Sequence, residues 1–410
     1  MSQPSVQRIA LVSGGLGMGG STTYLINLAG ELVKRGIPVK VFCFDAENPM
    51  SPDFQAASIP VFCLKNNRRM IFEDQFSAVL PQVAQFQPTV VVATLGGLSF
   101  EVLRYMPEGV FRAALGQSDD PNVYKAMGRY TPWMDLAPMV SQTMKEKASI
   151  MPEFASVPVV YLAGGVPMSP AAELPVRNPA MPLRILYLGR LDRVQKRVHL
   201  FPEILRQLRA SGMPFQWTIT GDGPDRHFLE TSLPAGPANQ RVVFTGVVDY
   251  RDVPAVLKQH DIFLLASDFE GLPLSLLEAM SHGLVPVISA LKSGIPEVVD
   301  SSNGMLVPVD DIAGYAQAII HLDQHRDEFA AKSAAARARV IRDFSVTASA
   351  DRWLAAFPKP QNVSVTWPKH WSVKPPVGTT RSFYFSPPIR PLRRLLARFA
   401  PSAYVLSRKT

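Results

Sequence analysis

The chain has 410 residues, with 42 lysines and arginines against 34 aspartates and glutamates, and a formal net charge of +8. Residues 357–410 hold ten of the basic residues and no acidic residue. The preceding 356 residues therefore carry 32 basic and 34 acidic side chains, a net charge of −2. A body this close to neutral argues against a general nucleic-acid-binding protein, because such proteins spread basic charge over their folded surface.

The length predicts two domains and an appendage, and 47% apolar residues are enough for each domain to bury a core. No stretch approaches the roughly 18 apolar residues that span a bilayer, and the first apolar run, 9–12, is too short for a signal peptide. We therefore expect a soluble, cytoplasmic protein with at most a peripheral attachment to a membrane. Its two cysteines, Cys43 and Cys63, lie in apolar segments and are interpreted as reduced structural thiols.

Short apolar runs alternate with helical patterns along the chain. A strand at 8–13, a glycine loop, a helix at 21–35 and a strand at 38–45 indicate a parallel sheet. Further strands are predicted at 89–94, 111–115, 139–141, 157–162, 183–188, 215–220, 242–245, 262–266 and 285–289. Helices are predicted at 200–211, 274–282 and 313–342. These patterns favour an α/β protein with two successive doubly wound domains.

Changes in composition mark the domain boundaries. Residues 167–182 are rich in proline and alanine and lack periodicity, which predicts a linker. The first domain is predicted at 1–166 and the second at 183–342, followed by a closing helix at 343–357 that packs back on the first domain. Residues 358–410 form a basic tail rich in proline and aromatic residues.

The glycine loop after the first strand reads Gly15-x-Gly17-x-x-Gly20, and Asp45 ends the next strand. In dinucleotide-binding proteins such glycines admit a pyrophosphate to the helix N-terminus, while an acid holds the ribose. The same loop offers N–H groups to any phosphate, and Ser21 can cap the helix without a ligand. The segment by itself therefore leaves open a nicotinamide cofactor, another phosphate ligand and a structural turn.

Two carboxylates follow the strand at 262–266. Glu270 lies in the loop, and Glu278 lies within the next helix after seven intervening residues. That helix is otherwise filled by leucine and methionine, so Glu278 has apolar neighbours unless it binds a polar ligand. An ordinary solvated glutamate is the alternative.

Two cations follow the strand at 183–188. Arg190 belongs to the sequence Gly189-Arg190-Leu191, and Lys196 opens the next helix. Open α/β sheets bind ligands at the carboxyl ends of their strands. Two cations there suit a diphosphate, because its departure develops negative charge. Surface cations without a ligand are the alternative.

The order of these motifs resembles one enzyme family. After the glycine loop come GR-x5-KR at 189–197, TGDGP at 220–224, E-x7-EAM at 270–280, and SGIPEVV-x3-NG-x-LV at 293–307. This series resembles the retaining glycosyltransferases of the GT-B fold, family 4 (group 1), over roughly residues 8–357. The resemblance implies two Rossmann-like domains that face each other across a cleft, with a nucleotide-sugar donor on the second domain and the acceptor on the first.

The resemblance also implies the roles of the charged residues. Glu270 would contact the transferred sugar beside its anomeric carbon, and Arg190 and Lys196 would neutralise the diphosphate. Glu278 would bind the ribose hydroxyls. Glu297 matches a family position near the donor, with a structural ion pair as the alternative.

Backbone N–H groups complete the implied donor site. Those near Gly17 would reach the distal phosphate, and those of Gly271 and Leu272 would bind sugar or phosphate. The implied transfer retains the anomeric configuration and needs no divalent metal and no cofactor. Cations and helix N-termini would stabilise the leaving diphosphate instead.

One segment departs from the family pattern. Many relatives have a histidine after the strand that matches 111–115, whereas this chain reads Gly116-Gln117-Ser118-Asp119-Asp120. Gln117 or Ser118 can hydrogen-bond a sugar hydroxyl, and Asp119 can accept a proton. These three residues are the predicted acceptor side, and no catalytic histidine is carried over.

Residues 389–399 of the tail can form a short basic amphipathic helix. Its apolar face would comprise Leu392, Leu395, Leu396 and Phe399. Arginines at 393, 394 and 398 would surround that face. This pattern predicts contact between residues 388–409 and anionic lipid headgroups on the inner face of the plasma membrane. A tail that packs across the enzyme or is disordered is the alternative.

Together these features predict a glycosyltransferase that moves a sugar from a UDP- or GDP-linked donor to a hydroxyl of a glycan or lipid-linked acceptor. We expect it to act in bacterial surface polysaccharide or glycolipid synthesis and not on nucleic acid. One alternative is an NAD(P)-dependent oxidoreductase that uses the glycine loop of Gly15, Gly17 and Gly20. Another is a catalytically idle scaffold of the same fold.

Overall fold

The computed structural model describes residues 7–45, 48, 50–65, 69–169, 181–359, 365–377 and 390–399. The chain divides into two compact units. The first comprises Met1–Met139, Lys145–Tyr161 and Arg352–Thr410, and the second comprises Val140–Met144 and Leu162–Asp351. Residues 162–166 therefore belong to the second unit, and the predicted closing segment 343–357 is divided between both. Most of the predicted linker, 170–180, lies outside the described residues.

Strands and helices alternate along the first part of the chain. In order they are β1 (Ile9–Ser13), α1 (Gly20–Lys34), β2 (Val39–Cys43), α2 (Ser51–Ala56), β3 (Val61–Cys63), α3 (Phe72–Phe86), β4 (Val90–Thr94), α4 (Gly97–Glu101), β5 (Phe111–Leu115), α5 (Pro121–Gly128), β6 (Ala137–Met139), α6 (Gln142–Ser149) and β7 (Val159–Tyr161). Short 3-10 helices occur at Val102–Tyr105, Thr131–Trp133 and Pro152–Phe154.

The main sheet of the first unit is parallel and has the strand order β3-β2-β1-β4-β5. Every residue of β1 and of β4 is buried. Continuous apolar strands of this kind are typical of a parallel sheet covered by helices on both faces. The strand order reverses between β1 and β4, and such a reversal opens a crevice at the carboxyl ends of the strands.

The second unit repeats this construction with one more strand. Its elements are β8 (Leu183–Leu188), α7 (Phe201–Ala210), β9 (Phe215–Thr220), α8 (Arg226–Ser232), β10 (Gln240–Gly246), α9 (Val253–Lys258), β11 (Ile262–Leu265), α10 (Leu274–Ser281), β12 (Val285–Ser289), β13 (Met305–Val307), α11 (Ile312–Gln324) and α12 (Arg326–Asp343), and α13 (Val346–Ala356) follows them. The sheet is parallel, with the order β10-β9-β8-β11-β12-β13. It reverses between β8 and β11.

Most predicted strands are observed, and β5, β8, β9 and β12 have the predicted bounds. The helix predicted at 313–342 is two helices, α11 and α12, because His325 between them has non-helical dihedral angles (φ −120°, ψ 68°). Asp311 caps α11 by accepting a hydrogen bond from the N–H of Gly314 at 2.9 Å, and the helix begins one residue before the predicted 313. The strands β3 and β13 were not predicted, and β6 occupies 137–139 where a strand was predicted at 139–141.

The described residues after 351 belong to the first unit. Trp353 is buried, and its indole N–H donates to the hydroxyl of Tyr24 at 2.8 Å. In the tail, the hydroxyl of Tyr105 bonds the main chain of Lys374, accepting from its N–H at 3.0 Å. The tail is therefore in contact with the first unit, and it ends, among the described residues, in helix α14 (Arg390–Phe399).

Helix α14 has the opposite orientation to the one expected from its amphipathic pattern. Arg393 is buried and donates to both carboxylate oxygens of Glu73, at 2.7 and 3.0 Å. Arg390 and Arg394 pair with Asp74 at 3.1 and 2.6 Å. These arginines were expected to be available to lipid headgroups, but the two adjacent acids of α3 pair with them.

The outer surface of α14 carries two leucines beside the exposed arginines Arg394 and Arg398. Leu392 and Leu395 are 56% and 54% exposed. The side chains of Leu396 and Phe399 lie outside the described part of the structure. Across the described ranges, no helix combines the length and the apolar character that crossing a bilayer requires.

Candidate active site

The carboxyl edge of the second sheet gathers most of the predicted site residues. The loop after β8 carries Arg190 and Lys196, and the loop after β11 carries Glu270. These two loops flank the point where the strand order reverses, which is where open α/β sheets bind ligands. Residues that are far apart in the sequence therefore meet where a ligand is expected.

Lys196 and Glu270 form a buried ion pair at this point. The Nζ of Lys196 lies 2.5 Å from Oε1 of Glu270, and the two side chains are 14% and 7% exposed. The hydroxyl of Ser267 donates to the same oxygen at 2.7 Å. No group in the described ranges donates a hydrogen bond to Oε2 of Glu270. The pair is held in place and still has an acceptor for a ligand hydroxyl.

Arg190 lies on the same loop but remains exposed. Its guanidinium is 3.3 Å from the carboxylate of Asp192 and donates to the amide oxygen of Gln195 at 3.2 Å. The hydroxyl of buried Tyr187 donates to the carbonyl oxygen of Arg190 at 2.6 Å. Burial raises the pKa of Tyr187 well above its usual range, so the hydroxyl keeps its proton. Arg190 thus has a fixed main chain and a side chain open to an incoming anion.

The TGDGP turn after β9 supports the loop that carries these cations. Gly221 has a φ of 133°, and a Cβ there would lie 1.9 Å from the carbonyl oxygen of Gly189. A Cβ on Gly223 would lie 2.2 Å from the carbonyl oxygen of Leu191. Both glycines therefore permit a close main-chain approach that no other residue type allows. The TGDGP turn therefore packs against the main chain of the loop that carries Arg190 and Lys196, and it supports that loop.

Glu278 lies in the second turn of α10 among buried leucine, alanine and methionine residues. Its side chain has no hydrogen-bond partner among the residues that the structure describes. Burial disfavours the charged form and raises the pKa of Glu278 to about 8. An acid that is unpaired and costly to ionise is typical of a functional site.

The segment between Glu270 and α10 presents unused N–H groups. None of the described residues accepts a hydrogen bond from the N–H of Gly271 or of Leu272. The carbonyl oxygen of Gly271 accepts from the N–H of Gly294 at 2.9 Å, and a Cβ on Gly294 would lie 2.5 Å from that oxygen. This close main-chain contact holds the two N–H groups in position.

Glu297 is engaged within the protein. Its two carboxylate oxygens accept the N–H groups of Gln142 and Thr143, each at 2.8 Å, and the hydroxyl of Thr143 adds a bond of 3.1 Å. These N–H groups belong to the first turn of α6, so the carboxylate caps a helix N-terminus. The structural partner is a helix terminus and not the expected cation. A role for Glu297 in donor binding stays a prediction.

The glycine loop of the first unit follows β1, at the reversal point of that sheet. The N-cap of α1 is Gly19, and no side-chain capping hydrogen bond forms there among the described residues, so Ser21 does not cap the helix. A Cβ on Gly17 would have no atom within 4 Å. Packing within the described residues therefore does not require glycine at 17. Asn48 accepts the N–H of Leu16 at 2.9 Å, so one N–H group of the loop is already used.

The predicted acceptor residues follow β5 and differ in what they contact. Both amide atoms of Gln117 are buried and have no hydrogen-bond partner in the described structure. Asp119 accepts from the hydroxyl of Tyr124 at 2.6 Å and from Lys147 at 2.5 Å. Ser118 is half-buried. The carboxylate of Asp119 is thus engaged by a tyrosine and a lysine, whereas Gln117 keeps an unused donor and acceptor.

Three supporting residues were missed by the sequence reasoning. Ser267 bonds Glu270, Tyr187 bonds the main chain of Arg190, and Gln195 donates to the carbonyl oxygen of Phe269 at 3.2 Å. Gln195 therefore bonds both loops of the site. Tyr187 and Ser267 lie at the carboxyl end of an apolar strand or just after it, and a polar residue in that position is the signal that could have identified them. Gln195 lies seven residues beyond β8 and gives no such signal.

The sheet orders define a protein built from two Rossmann-like units, and comparison with known proteins gives the family. The family model "Glycosyl transferases group 1" matches residues 182–325. The putative colanic acid biosynthesis glycosyltransferase WcaL of Salmonella typhimurium is 30% identical over 291 residues, which cover 66% of this chain and 70% of the relative. The chain belongs to the group 1 glycosyltransferases, of the family 4 type.

Other relatives match shorter parts. WcaL of Escherichia coli is 38% identical over 189 residues, 44% of this chain and 46% of the relative. The amylovoran biosynthesis glycosyltransferase AmsK of Erwinia amylovora is 35% identical over 171 residues, 40% of this chain and 42% of the relative. These two matches span less than half of the relatives' own lengths.

Solved structures agree on the fold. A variant of S. aureus TarM, solved with fondaparinux, α-GlcNAc-glycerol and UDP, has a TM-score of 0.68 at 11% identity and covers 85% of this chain and 99% of that chain. HepE of Anabaena, solved with UDP, has a TM-score of 0.67 at 16% identity, with 85% and 99% covered. At such identities the likeness shows the fold alone, which is GT-B.

Proposed function

We propose that the chain is a retaining glycosyltransferase that moves a sugar from a nucleotide-diphosphate sugar to a hydroxyl of a glycan or lipid-linked acceptor. The observation that carries this proposal is the buried Lys196–Glu270 pair beside the sheet reversal, in which one carboxylate oxygen is unused. Relatives named for colanic acid and amylovoran biosynthesis support a role in bacterial surface polysaccharide synthesis.

The donor would bind along the carboxyl edge of the second sheet. Lys196 and Arg190 supply positive charge for the diphosphate, and the N–H groups of Gly271 and Leu272 supply further donors. Glu278 would accept hydrogen bonds from the ribose hydroxyls. Those bonds would favour its charged form and offset the cost of its burial. Neighbours solved with UDP support a uridine donor, with a guanosine donor as the alternative.

The reaction would separate charge between the sugar and the leaving diphosphate. Oε2 of Glu270 would orient a sugar hydroxyl and stabilise positive charge at the anomeric carbon, while Lys196 and Arg190 stabilise the diphosphate. The acceptor hydroxyl would approach the face from which the diphosphate leaves and give its proton to a phosphate oxygen. The configuration is then retained. Side-chain cations and N–H groups would fill the role that a divalent metal has in other enzymes.

We propose that Gln117 binds the acceptor. A sugar hydroxyl both donates and accepts a hydrogen bond, and the buried amide of Gln117 has an unused donor and an unused acceptor. An amide does not titrate near neutral pH, so Gln117 would position a hydroxyl without moving a proton. Ser118, which is half-buried beside it, is a further candidate contact.

We also propose that the tail places the enzyme on an anionic membrane surface. Three of the four arginines of α14 bind α3, and Leu392 and Leu395 are exposed on a segment that has basic residues and no acidic one. Sedimentation with phosphatidylglycerol vesicles tests this proposal. Leu392→Glu with Leu395→Glu should abolish binding, and rising salt should weaken it. Equal binding by the double variant would exclude α14 as the contact.

Thermal shift with a panel of UDP, GDP and their sugars tests the donor site. A ligand at 100 times its Kd adds about 2.7 kcal/mol of stability. We expect one nucleotide class to raise the Tm, and Glu278→Gln to remove that shift. Glu230→Gln is the matched control, because Glu230 is an exposed acid of the same unit that pairs only with Arg226 among the described residues.

The same assay separates the two alternatives. A shift with NAD(P) that disappears in Gly17→Val would establish the oxidoreductase instead. Donor binding without transfer or hydrolysis would establish an idle scaffold. When transfer is observed, NMR of the new glycosidic bond decides between retention and inversion.

A further inference from the structure

The two cysteines of the chain lie side by side at the carboxyl ends of neighbouring strands. Cys43 ends β2, Cys63 ends β3, and the two are Cα partners in the parallel register. Neighbouring strands are about 4.8 Å apart, and disulfides join Cα atoms about 4.4–6.8 Å apart. Partners in a sheet also direct their side chains to the same face. The main chain therefore already has the spacing of a disulfide, while both cysteines are free.

The two thiols differ in exposure and in hydrogen bonding. Cys43 is buried and Cys63 is half-buried. A hydrogen bond from Cys43 lowers the pKa of Cys63 to about 7, with help from Ser51 and against the effect of burial. The same contact and burial raise the pKa of Cys43 above its usual range. Cys63 is thus the thiol that can act as a nucleophile, and Cys43 is the thiol beside it.

Cys43 is also bonded to the glycine loop. Its thiol lies 3.0 Å from Oδ1 of Asn48 and 3.7 Å from the carbonyl oxygen of Gly14. The same Oδ1 accepts the N–H of Leu16. A change at the Cys43 sulfur therefore acts directly on the loop that contains Gly17.

We propose that Cys43 and Cys63 are a modification site that forms a reversible disulfide by exchange with a low-molecular-weight disulfide, and that this disulfide loosens the glycine loop. The register pairing of the two cysteines and the contacts of Cys43 with Asn48 and Gly14 carry the proposal. It is independent of the proposed glycosyl transfer, because the thiol chemistry needs neither donor nor acceptor.

The exchange balances with oxidised glutathione as the reagent. The thiolate of Cys63 attacks one sulfur of oxidised glutathione, and a glutathione thiolate leaves, which gives a mixed disulfide at Cys63. Cys43 then loses its proton and attacks the Cys63 sulfur, and the second glutathione leaves as thiolate. Two protein thiols are oxidised and one glutathione disulfide is reduced. The second step is intramolecular and is favoured by the proximity of the two sulfurs.

Oxidation would remove the S–H donor of Cys43. The thiol would lose its contacts with Oδ1 of Asn48 and the carbonyl oxygen of Gly14, because a bond to Cys63 would draw the sulfur away from both oxygens. The amide of Leu16 would then exchange with solvent more rapidly. Reduction by a thiol would restore the original contacts.

Intact mass spectrometry of the full chain in glutathione buffers tests the site. After acid quenching and alkylation, oxidised wild type should carry no alkyl group, and its mass should be lower than that of the reduced chain by two hydrogens. Cys43→Ser should stop at a single glutathionyl adduct, and Cys63→Ser should not react. The proposal would be overturned if both thiols of folded wild type stayed alkylatable in oxidised glutathione while those of the urea-unfolded chain reacted with it.

Hydrogen exchange of the oxidised and reduced protein tests the effect on the loop. We expect a several-fold faster exchange at residues 14–20 in oxidised wild type and no difference for Cys63→Ser under the same buffers. A disulfide that forms without any change in exchange would overturn the effect on the loop. Neither measurement depends on a glycosyl donor, so failure of the proposed transferase activity would leave this result intact.

Discussion

The Lys196–Glu270 pair in the second unit and the Arg393–Glu73 pair in the first are both buried, yet their hydrogen bonds are arranged differently. Arg393 occupies both carboxylate oxygens of Glu73. In contrast, Lys196 and Ser267 converge on one oxygen of Glu270, and the other oxygen receives no bond from any described residue. One carboxylate is fully used by the fold, and the other keeps an acceptor.

This comparison separates structural support from a binding site better than burial does. Removing a charge from water costs free energy in both places, and that cost is recovered only through partners. At Glu73 the partners are all in the chain, so the pair attaches α14 to α3. At Glu270 one partner is missing, so we infer that the ligand supplies it. The following predictions test this difference, from the largest expected effect to the smallest.

Glu270→Gln should lower kcat about 10²–10³-fold, because the neutral amide no longer stabilises positive charge on the sugar. The side chain is nearly isosteric and can still accept a bond from Lys196, so the fold should persist. Initial rates with the donor found by thermal shift, together with circular dichroism, check both points.

Glu73→Gln is the matched control for that variant. It weakens the saturated pair in the first unit and should leave kcat unchanged while lowering the Tm. Equal losses of activity in the two variants would show that the unused oxygen of Glu270 has no special role.

Arg393→Ala should release α14, because it leaves the carboxylate of Glu73 buried without its guanidinium. Breaking a buried pair costs about 3–5 kcal/mol. The loss here cannot exceed the free energy that holds the tail on the first unit, because the tail can detach locally. Limited proteolysis should cut the tail rapidly, whereas kcat should not change. Arg398→Ala is the control, since Arg398 is exposed and pairs with no described residue. A tail that stays protected in Arg393→Ala would contradict the structural role of this pair.

Glu278→Gln should stabilise the unliganded protein and weaken donor binding. The folded pKa of about 8 lies above the unfolded value, so the folded state holds a proton that the unfolded state has lost between about pH 4.5 and 8. Stability is therefore lost as the pH rises through this window. The gain in free energy of unfolding for Glu278→Gln should be small at pH 5 and largest near pH 8, amounting to a few kcal/mol at most.

Chemical denaturation of both proteins at pH 5 and pH 8 measures this dependence. If the free energy of unfolding changed equally with pH in wild type and in Glu278→Gln, ionisation of Glu278 would cost little in the folded protein. The unpartnered carboxylate would then resemble Glu73, whose charge is accommodated by the chain.

Gln117→Leu should leave stability unchanged or slightly higher, because it removes a buried amide that has no partner. The KM for the acceptor should rise about tenfold, which corresponds to about 1.4 kcal/mol. Gln240→Leu is the control, since the buried amide of Gln240 donates to the carbonyl oxygen of Met213 at 3.0 Å. That variant should lose about 1 kcal/mol of stability and keep its KM. The opposite pattern would make Gln117 a structural residue.

Much of the fold could be predicted, because strands that are buried on both faces consist of continuous apolar runs. The strands β5, β8, β9 and β12 were predicted to the residue for this reason. The two glycines of the TGDGP turn were harder to interpret. Gly221 and Gly223 read as an ordinary turn, because their function is a close approach to main chain 32 residues earlier, and no local pattern encodes that contact.

The orientation of α14 shows the same limit. Its pattern of leucines and arginines predicts a helix correctly, but the pattern does not say which face meets the protein. The acids that decide this, Glu73 and Asp74, lie more than 300 residues away in the sequence, and their charges draw the arginines inward.

The sequence by itself determined the family, the two parallel sheets, and the location of the basic excess in the tail, because each depends on local composition or on motifs with fixed spacing. Tertiary structure alone decided how the charges are used. It joined Lys196 to Glu270, left Glu278 unpaired, assigned Glu297 to a helix terminus and turned three tail arginines toward acids. Hydrogen bonds and ion pairs act over a few ångströms of space, and the distance between two residues along the chain does not reveal whether they will meet.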